Sequence, residues 1–142
     1  MTFSDNIALL GPAFLSTPYR RYPYGAETAY VHACCLAAKL MKAGIHDLFC
    51  PIAMAHGIAR YGLIDPFDNE FWLKAYAGQL SRAGVLLVGT LPGWIESDGI
   101  KEEIAAFKNS SEPVVLGIAH PNYGHMAVMP PETRAELARD FE

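Results

Sequence analysis

Short, continuously apolar runs separated by helix-length stretches constrain this chain more than any other feature. Val85-Leu86-Leu87-Val88 is the clearest, carried on through Gly89 to Leu91 and ended by Pro92-Gly93. Such a run is short for a helix and too uniformly apolar for a strand with one wet face, so it predicts a strand buried on both sides. Residues 7–16, 46–52 and 113–119 read the same way. Residues 25–43 instead carry a helical pattern and stop at Gly44, which suits the left-handed position beyond a helix. In residues 71–83, Trp72, Leu73, Tyr76, Leu80 and Ala83 recur at helical spacing. Residues 97–108 predict another helix, with Ser97 or Asp98 as its N-cap, and a last short helix is expected from Pro131 onward. Parallel neighbours need crossover helices, so the alternation spells an α/β protein with a parallel sheet. Residues 51–70 and 120–130 are the longest stretches read as irregular.

The 142 residues suit one domain and leave no room for a second core. Apolar residues make up 51% and charged residues 18%, enough burial to offset ordering entropy, which excludes a disordered tail. A net charge of −4 removes the general attraction to phosphate backbones or anionic lipid, so no nucleic-acid polymer is expected as a partner. Cys34 and Cys35 are adjacent and leave no even disulfide framework with Cys50, which points to a reducing compartment. No apolar run is long enough for a membrane span, and residues 1–6 lack the basic flank of a signal peptide. A cytoplasmic protein is the expectation.

In an open parallel sheet, ligands bind beyond the carboxyl ends of the strands. The loops that matter are therefore 16–24, 51–62, 91–99 and 120–125. On a helix starting near Ser97, Ile100, Ile104 and Phe107 share the core-facing side, and Glu103 shares it with them. Glu102 points about 100° away, toward solvent. A carboxylate on the buried side of a first turn is unfavourable unless something pairs with it. The plainer alternative is an acid near a helix start, favoured by the dipole, with its stem lying along the surface.

Three segments resemble a known family. Ala13-Phe14-Leu15-Ser16-Thr17-Pro18-Tyr19-Arg20 is the first, Leu40-Met41-Lys42-Ala43-Gly44 the second, and Cys50-Pro51-Ile52 with His56 the third. Together with Gly93-Trp94, Ser97, Gly99 and Glu103-Ile104, they are similar to the nucleoside 2-deoxyribosyltransferase superfamily, and more closely to its DUF1937-type branch. The resemblance implies a flavodoxin- or Rossmann-like three-layer fold with a parallel sheet of four to five strands. It also implies an N-glycosidase or deoxyribosyltransferase acting on a nucleoside or nucleoside monophosphate. Glu103 would attack the anomeric carbon, base would depart, and water or another base would take the sugar. Tyr19 would hold the nucleophile or the sugar, Ser97 would donate to the sugar or a 5′-phosphate, and Arg20 would suit a phosphate or base edge. Pro18, His56, Gly93, Trp94 and Gly99 would complete the substrate site. The related enzymes complete their sites with a neighbour's residues, so a homodimer or higher homo-oligomer is expected, with Phe71, Trp72 and Tyr76 as candidate contact surface.

The sequence departs from the family at two places. Tyr76 stands where an aspartate is usual, and Met54 and Ala55 stand where His and Ser are common, leaving His56. A tyrosine can donate to a leaving base but shuttles protons poorly near neutral pH. The rival reading is therefore a non-catalytic nucleotide-binding or assembly module that keeps the fold and has lost the acid. His32 shares a helix side with Lys39 and Lys42 and reads as solvent-facing, while His120 and His125 either line the crevice or shape a turn. No histidine or acid pairing has metal-ligand spacing, and neither a Gly-x-x-x-x-Gly-Lys loop nor a Gly-x-Gly-x-x-Gly fingerprint occurs. No metal and no cofactor is expected.

Overall fold

The structure is a computed structural model and describes residues 3–108 and 115–118. Its elements run α1 (Phe3–Leu10), β1 (Ala13–Ser16), α2 (Ala26–Lys42), β2 (Leu48–Phe49), α3 (Pro51–Gly62), α4 (Asn69–Arg82), β3 (Val85–Gly89), a 3-10 turn (Trp94–Glu96), α5 (Asp98–Lys108) and β4 (Val115–Ile118). The strands form a small open parallel sheet in the order β2-β1-β3-β4. Ala13 of β1 pairs with Val85 of β3, and the register holds through Ser16 and Val88. The expected helix from Pro131 and the loop with His120 and His125 lie outside the described residues.

Alternation along the central strands divides the core. Ala13, Leu15, Val85 and Leu87 pack with Ile7 of α1 and with Ala33, Leu36, Ala37 and Leu40 of α2. Phe14, Leu86 and Val88 point the other way, into Ala55 and Ala59 of α3, Trp72 and Tyr76 of α4, and Ile100, Ile104 and Phe107 of α5. Both faces of β3 are fully buried, as its unbroken apolar run predicts. The C-terminal end of α2 is closed as expected: Gly44 adopts φ 109 and its N–H bonds the Met41 carbonyl.

Two expectations are corrected. Residues 7–10 are helical, not part of the first strand; Leu9 and Leu10 are exposed, and the strand starts only after Gly11-Pro12. Proline disfavours helical backbone in the residue before it and has no N–H for a ladder, so it separates the two elements. Residues 51–62 are helix α3 rather than loop, with Pro51 at its first position. Proline's fixed φ and missing N–H suit that position, and Pro51, Ala55 and Ala59 form a buried stripe at four-residue spacing that Gly57 obscures. The second strand is correspondingly reduced to Leu48–Phe49.

Gly84 joins α4 to β3 where the chain passes closest to α1. A Cβ there would lie 1.5 Å from the Leu10 carbonyl oxygen, and the Gly84 N–H bonds the Pro12 carbonyl at 2.8 Å. Gly84→Ala must therefore push two backbones apart. A loss of about 2–3 kcal/mol in urea unfolding is the expected outcome, against a gain of about 0.5–1 kcal/mol for Gly57→Ala inside α3, where the added methyl would meet nothing within 4 Å. No helix among the described residues is long and apolar enough to cross a membrane.

Candidate active site

Strand order reverses direction around β1, because α2 carries the chain to one side of it and α3 with α4 carries it back to the other. The crevice beyond the carboxyl ends of β1 and β3 is therefore the place for a ligand. A cleft opens there, lined among others by Thr17, Tyr19, Phe67, Trp72, Tyr76 and Glu103.

Glu103 sits on the buried face of α5 with Ile100, Ile104 and Phe107, while Glu102 is exposed, as the helical spacing predicts. Glu103 is 9% exposed, and the hydroxyl of Ser16, the last residue of β1, donates to Oε2. Burial pushes the Glu103 carboxyl from its ordinary value of 4.5 up to about 8; the Ser16 bond works against this and the neighbouring Glu102 charge adds to it. Tyr76 lies across the cleft, stacked on Trp72 with ring centroids 5.9 Å apart. Burial first, then the nearness of Glu103, raises its phenol above the ordinary value, so it stays a hydrogen-bond donor. Trp72 is fixed in turn by donating its Nε1–H to the Asp65 carbonyl at 2.9 Å.

Tyr19 is buried and held from outside the cleft. Its hydroxyl meets His56 Nδ1 at 2.7 Å, and His56 Nε2 meets Glu27 Oε2 at 2.7 Å. Because a carboxylate can only accept, Nε2 carries hydrogen. Tyr30 stacks on the imidazole at 4.4 Å, and Arg60 pairs with Glu27. Burial, with the Glu27 charge adding to it, raises the Tyr19 phenol; Arg60 opposes the shift.

Ser97 caps α5 by accepting the Ile100 N–H at 3.3 Å, and it lines the cleft with Asp98 and Gly99. Arg21 pairs with Asp98, at 3.2 Å between exposed side chains. Arg20 lies over the Phe67 ring, 5.3 Å from its centroid, so both guanidiniums stand at the cleft mouth.

Residues 11–118 match DUF1937, a domain of unknown function. The chain belongs to the DUF1937 family. No curated protein matches it.

In this DUF1937 chain, Glu103, Tyr19, Tyr76, Arg20, Ser97 and Gly99 come together at the cleft. Gly93 and Trp94 do not line it; they border a separate shallow depression with residues 90–96, and Trp94 packs against the core beside α5. Pro18 is buried at the turn out of β1 and is not part of the cleft lining, and His56 acts from behind Tyr19. Trp72 and Tyr76 are buried within the chain, which leaves Phe71 as the exposed member of that aromatic group. His32 is half-buried against the Tyr22 hydroxyl at 2.7 Å rather than solvent-facing. Sequence reasoning missed Ser16, Glu27, Phe67 and Thr17. The Thr17 hydroxyl is buried behind the cleft wall beside the Cys50 thiol, with no other hydrogen-bond partner among the described residues. Among the described residues, no group of three or more His, Cys, Asp or Glu side chains is placed to hold a metal.

Proposed function

We propose that this protein breaks the N-glycosidic bond of a nucleoside or nucleoside 5′-monophosphate, with Glu103 as the nucleophile. The observation that carries the reading is a carboxylate buried at the floor of an aromatic-walled cleft, oriented by the Ser16 hydroxyl. Phe67 and Trp72 offer flat faces for a base. The strand order matches the start of a flavodoxin-like sheet, which supports the superfamily resemblance. In this reaction Glu103 attacks the anomeric carbon, the carbon–nitrogen bond breaks with its electron pair leaving on the base, and an ester between sugar and Glu103 remains. Tyr76 donates a hydrogen bond toward the departing base.

A phosphate on the substrate fits the start of α5. Ser97 spends its oxygen lone pair on the Ile100 N–H, which leaves its own O–H to donate, and the Arg20 and Arg21 guanidiniums lie at the same mouth. Ser97→Ala is expected to weaken binding of a nucleoside monophosphate several-fold and to leave the unphosphorylated nucleoside nearly unchanged, as titration calorimetry reads it.

The rival reading, a nucleotide-binding module without catalysis, draws on Tyr76 in place of an acid and on a Glu103 carboxyl neutral near pH 7. A panel of ribo- and deoxyribonucleosides and their monophosphates separates the two. Free base appearing in the supernatant supports the enzyme; thermal stabilisation with no base released supports the module.

A further inference from the structure

Tyr19, His56 and Glu27 connect the cleft to solvent in one line of hydrogen bonds, and the reaction proposed above leaves them without a task. Tyr19 lines the cleft, His56 lies behind it, and Glu27 stands in water with its side chain 57% exposed. The chain of donors has a direction. Nε2–H faces the Glu27 carboxylate, so in the neutral ring Nδ1 is bare and accepts the Tyr19 O–H. Tyr30 from α2 stacks on the ring and Arg60 from α3 fixes Glu27, so the imidazole is held in this orientation from both helices. This is the order of parts by which a carboxylate and an imidazole together make a hydroxyl a proton acceptor.

We propose that Tyr19, relayed through His56 and Glu27, is the base that activates water against the glycosyl–Glu103 ester, which makes the protein a hydrolase rather than a transferase. Water oxygen bonds to the anomeric carbon as the bond from that carbon to the Glu103 oxygen breaks, returning its electron pair to the carboxylate. The water proton passes to the Tyr19 oxygen while the phenol proton passes to His56 Nδ1. The resulting imidazolium rests against the Glu27 carboxylate, and the relay is reset when Nδ1 gives up its proton to solvent as product leaves, with Nε2 keeping its hydrogen toward Glu27. Tyr19 is the catalytic group; His56 and Glu27 act through it as positioning and relay residues. The inference rests on the N-glycosidic reading, so its test separates the two.

The test uses a 7-methylguanine nucleoside, whose base departs without needing a proton, so the first step does not depend on the relay. Tyr19→Phe keeps the ring that packs on Phe67 and His56. Tyr19→Phe and His56→Gln are each expected to show a burst of one equivalent of base, followed by turnover about 100-fold slower than wild type. Azide, an anion that attacks without losing a proton, should then restore turnover about tenfold or more and yield the glycosyl azide, with no such gain in wild type. Equal slowing of both steps with no azide rescue overturns the relay while leaving the glycosidic reading intact. A wild-type protein that releases no base from any nucleoside overturns that reading, and the relay with it.

Discussion

Glu103→Gln is expected to lower base release by at least about 1,000-fold, with nucleoside binding retained within a few-fold. The substitution preserves shape and leaves a carbonyl oxygen to accept the Ser16 hydroxyl, so packing beside Ile100 and Ile104 is undisturbed. What it removes is the one atom able to bond the anomeric carbon. The same carboxyl sets the pH profile of the wild type. With its pKa raised to about 8, only the minority ionised form attacks at neutral pH. Pre-steady-state base release is expected to climb roughly tenfold per pH unit and to level off near pH 8. A rate flat across that range, or a Gln variant with near-normal turnover, removes Glu103 from the chemistry.

The second large effect is on stability, and it runs opposite to activity. Between pH 4.5 and about 8 the folded chain keeps a proton on Glu103 that the unfolded chain has released. Folding stability therefore falls as pH rises through that window, by about 1.4 kcal/mol per unit, and the loss is complete above about 8. A glutamine at 103 never ionises and escapes the loss. Glu103→Gln should match the wild type near pH 4 and exceed it at pH 9 by on the order of 4 kcal/mol, read as a Tm about 10 °C higher. A stability difference independent of pH would mean that the carboxyl does not carry the raised pKa. A buried acid whose one hydrogen bond comes from Ser16 lowers the stability of its own fold as it ionises.

The parts of the fold that depend on local pattern were legible. The apolar run at β3, the helical face of α5 and the glycine after α2 each follow from side-chain period and backbone freedom, and Glu103 was placed by the same reasoning. α3 was not legible, because Pro51 reads equally as a strand's end and as a helix's first residue, and Gly57 interrupts the pattern. That one misreading put His56 on a loop, and the resemblance put it among substrate residues; it stands on a helix behind Tyr19. The contacts of Ser16 and Glu27 were not legible, since they are made across long sequence separations: Ser16 meets Glu103 87 residues away, and His56 meets Glu27 29 residues away. Gly93 and Trp94 matched a motif, but the 3-10 turn that follows β3 turns them away from the cleft.

The most direct measurement is to trap the sugar on the protein. A nucleoside bearing fluorine at C2′ and a 7-methylguanine leaving group slows both steps by destabilising the cationic transition state, while the departing base keeps the first step faster than the second. The ester should accumulate, and fragment-ion sequencing of the labelled peptide by mass spectrometry should place the fluorosugar mass on Glu103 rather than the adjacent Glu102, with no label in Glu103→Gln. Base release with no modified peptide, or with the sugar on another carboxylate such as Glu102, contradicts Glu103 as the nucleophile.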